Sequence, residues 1–121
     1  MSDAYAVATT AIAAASSVTA LVGTRYWPDR ADEETPTLPF IIFQNITDLR
    51  YDHLAGPGTG KRCRVQFTCY GENRLAASNL ADLLESHLAQ SGRILFRQSG
   101  YDFEVQAYWS QIDWSVIFDS P

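Results

Sequence analysis

The glycine-rich segment from Ala55 to Arg62 is the part of the chain whose sequence comes nearest to a catalytic motif. It reads Ala-Gly-Pro-Gly-Thr-Gly-Lys-Arg, whereas a phosphate-binding loop needs glycine at the first position and serine or threonine after the lysine. An alternating strand pattern also follows the segment, so no helix N-terminus is available to bind a phosphate group. We therefore predict a hairpin tip that binds no nucleotide, and we expect no cofactor.

Two cysteines and two histidines are the remaining candidates for chemistry. Cys63 and Cys69 lie six residues apart in an alternating segment, which places their Cα atoms about 20 Å apart in a strand, whereas a disulfide needs about 4.4 to 6.8 Å. We predict that both are reduced and buried. His53 falls in the glycine-rich segment and His87 on the apolar stripe of a helix, so neither the spacing of a zinc site nor that of a nucleophile and its base is present. We predict no catalytic residue and no metal, and therefore no enzyme.

Composition sets the class of the protein. The chain has 121 residues, of which 46% are apolar, and a net charge of -5. This is enough apolar surface for one domain, which we expect to span residues 1–121. With Lys61 as the single lysine, the chain lacks the basic surplus that tight nucleic-acid binding requires. We also expect no membrane partner, because no apolar run is long enough to span a bilayer.

The elements follow from periodicity and from the positions of glycine and proline. At the N-terminus we predict a helix to about Ala15, a second helical turn that ends before Gly23, and a short strand over Thr24–Trp27. A long helix is expected from a cap at Asn73 to about Gln90. The expected longer strands are Phe40–Asp48, Lys61–Tyr70, Ile94–Phe96 and Val105–Phe118.

Two long irregular segments, Pro28–Pro39 and Leu49–Gly60, are predicted to be loops, and Ser99–Asp102 is predicted to be a turn. The resulting order of helix, strands, helix and strands is typical of an α+β fold. We predict a mostly antiparallel sheet of four to five strands packed against two helices.

Several short sequences occur in an order that resembles the small tail completion, or tail terminator, proteins of long-tailed bacteriophages and phage-derived particles. After an N-terminal helix they follow one another along nearly the whole chain: Thr19–Gly23, Arg25–Ala31, Leu38–Gln44, Gly56, Arg62–Phe67, a helix, and Ile112–Val116. The order and the spacing together carry the resemblance. It implies a tail-terminator-like fold and a structural protein of the virion.

The resemblance further implies a homohexameric ring that caps the completed tail tube and presents a surface to the head connector or stopper protein. DNA would pass through the ring without specific binding, which suits an acidic subunit. Such a protein is made in the bacterial cytoplasm and lies at the junction of tail and neck in the virion. The alternative function is a head-side adaptor or stopper of the same junction.

We expect the contact residues of such a ring to lie in the two long loops and on the polar face of the strand that follows the second loop. From the sequence alone, arginines on that face could pair across a subunit boundary with acids such as Asp82 or Glu85. The predicted interface residues are Asp29, Arg30, Asp32, Glu33, Glu34, Arg50, Tyr51, Asp52, His53, Lys61, Arg62, Arg64 and Gln66.

Overall fold

The computed structural model describes the backbone of residues 3–31, 36–51 and 60–119, and the side chains of residues 4–31, 36–46 and 62–116. These residues form three helices and five strands. The predicted α+β class is confirmed.

Two short helices begin the chain. Helix α1 runs over Asp3–Ala14 and helix α2 over Ser16–Val22, and the two are bent by 88° at their junction. Gly23 ends α2 with a positive φ of 62°, which glycine adopts without a Cβ clash. Among the described residues no single helix is both long and apolar enough to cross a membrane, and α1 with α2 meets that description only as a bent pair.

One sheet contains every described strand. The strands are β1 (Tyr26–Pro28), β2 (Phe40–Tyr51), β3 (Gly60–Gly71), β4 (Arg93–Asp102) and β5 (Ala107–Asp119). Their order across the sheet is β1-β2-β3-β5-β4, so β1 and β4 are its edges. Strand β1 runs parallel to β2, and the other pairings between neighbours are antiparallel. The predicted hairpin of β2 and β3 is confirmed.

Helix α3 covers the middle of the sheet. It spans Arg74–Leu88, and the Asn73 side chain caps it by accepting a hydrogen bond from the backbone nitrogen of Ala76, at 2.8 Å. This satisfies one of the backbone donors that a helix N-terminus leaves unpaired. The predicted N-cap is confirmed. The buried stripe of α3 consists of Ala77, Leu80, Ala81, Leu84 and Leu88, whereas Leu83 on the same helix is 37% exposed.

The core lies between the helices and one face of the sheet, which we call the inner face. Strand β3 shows why the alternation predicted this: its odd-numbered residues from Cys63 to Cys69 are buried, and the residues between them are partly exposed. Both cysteines are free, as predicted. The largest side chain of the core is Trp114 on β5, whose Nε1 donates a hydrogen bond to the carbonyl of Leu88 at 2.9 Å. This bond ties the end of α3 to the sheet.

Two predicted segments have wrong boundaries. The predicted loop Leu49–Gly60 is shorter, because β2 continues to Tyr51 and β3 begins at Gly60. Ser99–Asp102 belongs to β4, and the turn falls on residues 103–106 instead. In both cases, pairing with a neighbouring strand extends a segment whose own residues favour a turn. The second helical turn predicted before Gly23 is helix α2.

Candidate interaction surfaces

The face of the sheet that points away from the helices, which we call the outer face, carries an ion pair at its centre. The Asp113 side chain on β5 is only 4% exposed, and the Arg64 guanidinium on β3 contacts it. Gln66 donates a second hydrogen bond to Asp113 at 3.3 Å. A buried carboxylate is tolerated where a cation and a hydrogen-bond donor replace its lost hydration. The cluster therefore fixes β3 against β5 on a face that no described helix covers.

A row of uncharged polar groups continues this face toward the edge. The Gln98 amide on β4 donates to Gln111 on β5 at 2.6 Å, and Gln111 donates to the Thr68 hydroxyl on β3 at 3.2 Å. The three strands are thereby linked by side chains as well as by backbone. The amides and the hydroxyl in this row therefore provide hydrogen-bond partners for one another.

Aromatic side chains occupy the end of the outer face where β2 begins. Phe40 stacks on Tyr70 with ring centroids 4.6 Å apart, and Trp27 lies against Phe40 at 6.0 Å. Phe40 is buried although it lies on the outer face, because its two neighbours cover it. Burial, and then the charge of Asp102, raises the pKa of Tyr70. This cluster attaches the short parallel strand β1 to the rest of the sheet.

On the inner side, Arg97 joins the edge strand β4 to α3. Its Nη1 lies 3.1 Å from the Asp82 carboxylate and 2.8 Å from the Glu85 carboxylate, and its Nη2 donates to the Ser110 hydroxyl at 3.0 Å. Burial lowers the pKa of Arg97, but its hydrogen bonds to Glu85 and Asp82 and their negative charges raise it, and the net shift is upward.

The predicted pairing of arginines on β3 with Asp82 or Glu85 across a subunit boundary stays a prediction. Within the chain both acids bind Arg97, and Arg64 binds Asp113. The alternation of β3 predicted that Arg64 and Gln66 share a face. It could not show that a carboxylate 49 residues further along the chain lies beside them.

The first predicted loop is described only in part. The Asp29 carboxylate accepts a hydrogen bond from the Tyr5 hydroxyl at 2.7 Å, and its backbone nitrogen donates to the carbonyl of Phe43 at 2.8 Å. Asp29 has a positive φ of 66°, so the chain turns away from the sheet directly after Pro28. Arg30 is exposed beside it. The predicted contact residues Asp32, Glu33 and Glu34 lie outside the described residues.

The predicted contact residues near the second loop fall into three groups. Arg50, Tyr51 and Lys61 belong to paired strands, with Arg50 opposite Lys61; their side chains are not among those described. Asp52 and His53 lie outside the described residues. Arg62 is exposed on β3. The chain thus leaves the sheet at Tyr51 and returns at Gly60, at the end of the sheet opposite the turn of residues 103–106.

The described part of the chain brings no catalytic constellation together. No group of three His, Cys, Asp or Glu residues among those described could hold a metal ion. Burial raises the pKa of Cys69 to about 12, which keeps this thiol protonated and unreactive. His87 lies on α3, as predicted, and is partly buried.

Exposed apolar side chains on β4 and at its tip were not among the contact residues predicted from the sequence. Phe103 is 83% exposed at the tip of the β4–β5 hairpin, and Leu95 and Phe96 on β4 are 45% and 52% exposed. Large exposed apolar side chains are candidates for contacts with a partner. The sequence does contain the apolar run Ile94–Phe96, and Phe103 between two acids. The strand predicted there covered only Ile94–Phe96, so it did not indicate a long exposed edge.

The described residues thus form one sheet with ion-paired and amide side chains on its outer face and exposed apolar side chains on β4 and at its tip. The sequence matches the family described as tail completion protein gp17 over residues 8–118. The chain therefore belongs to this family, and its role is that of a structural protein of the virion tail.

A solved structure supports the fold. A chain of the structure described as the virion of a native gene transfer agent (GTA) particle superimposes with a TM-score of 0.65 at 12% identity, over 93% of this chain and 91% of that one. No curated protein sequence shows a significant match to the chain. The predicted family and the predicted location in the virion are both confirmed.

Proposed function

We propose that the chain forms a homohexameric ring which caps the completed tail tube and joins the tail to the head connector or stopper protein. In this proposal the protein lies at the junction of tail and neck, acts as one domain and catalyses no reaction. Membership of the tail completion family is the observation that carries it. The net charge of -5 agrees with a lumen through which DNA slides without being held.

The arrangement of the sheet supports a ring of this kind. Lateral contacts in a ring use different surfaces on the two sides of each subunit, and the two edges of this sheet differ: β1 has three residues and β4 has ten. The connection between β2 and β3 and the turn of residues 103–106 leave opposite ends of the sheet. The two edges of the sheet can make the two different lateral contacts of a ring, and its two ends can face two different partners along the ring axis.

Native mass spectrometry of the purified chain, followed by electron microscopy with purified tail tubes, tests this function. We expect a mass of six subunits, either free or once tubes are added, and density at one end of each tube. A chain that remains monomeric with tubes present and does not bind their ends would overturn the proposal. Binding to isolated head connectors, but not to tubes, would instead indicate a head-side adaptor or stopper.

A further inference from the structure

The tip of the β4–β5 hairpin holds Phe103 outward in a fixed position. The Asp102 carboxylate accepts hydrogen bonds from the backbone nitrogens of Glu104 at 2.9 Å and Val105 at 3.2 Å. The Phe103 ring also lies edge-on to the Tyr101 ring, with centroids 4.9 Å apart. An apolar group that is already ordered loses little conformational freedom when a partner covers it. Phe103 is therefore suited to be an anchor residue of an interface.

An apolar cavity of about 380 Å³ opens between α2, α3 and the start of β2. Its apolar wall is formed by Leu21, Leu38, Pro39, Ala76 and Leu80. Leu21 is 45% exposed at its rim. A cavity of this size accepts an aromatic side chain, and within the described part of the chain nothing fills it.

The cavity and Phe103 lie at the same end of the sheet but toward opposite edges. Gly71, which lines the cavity, pairs with Tyr108 on β5, and Tyr108 pairs with Tyr101 on β4. Leu38 and Pro39 precede β2, on the side of β1. Neighbouring subunits of a closed ring are related by a rotation about its axis, with no shift along that axis. A projecting group and the cavity that receives it must therefore lie at the same level along the axis and on opposite sides of the subunit.

Charge favours the same pairing. Glu104 follows Phe103 at the tip, and Arg25 lies at the rim of the cavity, where Nε donates to the carbonyl of Pro39 at 3.1 Å and Nη2 to that of Leu21 at 3.2 Å. Glu72 also lines the cavity, so the tip must enter with Glu104 toward Arg25 and away from Glu72. Opposite charges beside an apolar anchor select one orientation of the two partners.

We propose that Phe103 of each subunit inserts into this cavity of the next copy of the chain and forms the lateral contact of the ring. This inference rests on the proposed function, since it names the contact by which the ring closes. The interface residues predicted from the sequence include neither Phe103 nor the residues that line the cavity. The occupant of the cavity is a second copy of this chain, bound through an aromatic side chain.

A mixture of two variants, each with one added cysteine, tests the contact directly and keeps the Phe103 anchor. One chain carries Val105→Cys, at an exposed position two residues after Phe103, and the other Asn79→Cys, at the wall of the cavity; a short bis-maleimide should link them into a heterodimer. Cys63 and Cys69 are buried and leave the background low. The matched control replaces Val105→Cys by Ile46→Cys, another exposed apolar position, and should not be linked to Asn79→Cys.

Self-association of Phe103→Ser gives the second measurement. Loss of this anchor should weaken association by about 10- to 100-fold, whereas Ile46→Ser should leave it unchanged; circular dichroism should show that both variants fold. Suppose that the wild type forms rings, that Phe103→Ser forms them equally well, and that no cross-link appears. The proposed contact would then be wrong, whereas the proposed ring would not. If the wild type does not self-associate even on tubes, both the contact and the ring are wrong.

Discussion

The buried thiol of Cys69 illustrates how a residue that looks reactive in sequence is made inert by packing. Its side chain is fully buried, and desolvation of the thiolate raises its pKa from 9.0 to about 12. The charge of Arg97 opposes this shift but is the smaller influence. The protein therefore keeps a neutral, space-filling side chain at this position of β3.

We predict that neither cysteine of the native protein reacts with a thiol reagent at pH 8 and that both react after unfolding. Rapid labelling of the native protein would contradict the burial of the two thiols.

The pH dependence of stability gives a second prediction. Above pH 9 the Cys69 thiol ionises in the unfolded chain but stays protonated in the folded protein, so the free energy of unfolding should fall as the pH rises from about 9 toward 12. Denaturant unfolding across this range measures the effect, and Cys69→Ala should show a shallower fall.

The Arg64–Asp113 pair should respond asymmetrically to mutation. Arg64→Met leaves a carboxylate that is 4% exposed with Gln66 as its described partner, and should destabilise the fold by about 2 to 3 kcal/mol. Asp113→Asn leaves a guanidinium whose side chain is 43% exposed and can be hydrated, so it should cost about 1 kcal/mol.

The double variant provides the control for this pair. Arg64→Met with Asp113→Asn should be more stable than Arg64→Met alone, because no uncompensated charge remains. Urea unfolding of the three proteins tests this order. Equal stability of the single and double variants would mean that the carboxylate is hydrated in spite of its burial.

At the scale of elements, close packing between α3 and the sheet depends on Gly92. A Cβ atom at this position would lie 2.3 Å from Nε1 of Trp114 and 2.6 Å from the carbonyl oxygen of Ser115. The indole could not keep its hydrogen bond to Leu88 without a shift of the backbone. The connection between α3 and β4 thus needs glycine at position 92 so that the Trp114 ring can lie against it.

We therefore predict that Gly92→Ala lowers the free energy of unfolding by about 1 to 3 kcal/mol. Ser91→Ala, at the neighbouring exposed position, should change it by less than about 0.5 kcal/mol. Thermal or urea unfolding measures both, and the tryptophan fluorescence of Gly92→Ala should shift as Trp114 moves. An unchanged stability would show that the connection can relax at little cost.

The elements whose residues carry their own periodicity were predicted well, and those that depend on a distant partner were not. The alternation of Cys63 to Cys69 and the cap at Asn73 are local signals, and both predictions are confirmed. Ser99–Asp102 has the composition of a turn, yet Gly100 lies in β4, where a Cβ atom would come within 2.6 Å of the Trp109 ring. That ring belongs to the neighbouring strand, and no pattern within residues 99–102 could reveal it.

The candidate contact surface shows the same division. Strand alternation placed Arg64 and Gln66 on one face, as the structure confirms, but their partner Asp113 required knowledge of the strand order. The exposed edge formed by β4 depends on the same order, because any of the strands could have been terminal. The positions that carry the proposed lateral contact could therefore not be found before the topology was known.

At the scale of the whole molecule, the two ends of the sheet are expected to have different tasks. The connection of residues 52–59 and the segment of residues 32–35 lie outside the described residues, and their predicted contact role remains a prediction. Since Arg50 and Tyr51 are paired in β2, a test of the second loop must spare them and begin at Asp52. Repetition of a weak loop contact around a ring would add avidity.

We predict that replacing Asp32–Glu34, or Asp52 and His53, by Gly and Ser spares the fold but that at least one replacement impairs capping. Loop changes of this size cost little stability, so the variants should still form rings. Particles assembled with the impaired variant should show overlong tubes and tailless heads in electron micrographs. Normal tail length and normal infectivity with both variants would mean that the capping surface lies elsewhere on the subunit.

The ten-residue edge strand β4 has a consequence for chains that have not yet joined a particle. Its outer row of backbone donors and acceptors is the same in every copy, so two copies can pair antiparallel about a two-fold axis and merge their sheets. Such a dimer would be a kinetic trap, because both β4 edges are buried in its two-fold contact and it cannot assemble into a larger ring. The register shift between Ile94 and Phe96 and the charge of Arg93 at the start of the strand oppose this union. A high concentration of unassembled subunits would favour this pair. If the chain caps tail tubes as proposed, the yield of assembly-competent protein should fall when subunits are made in excess over tubes.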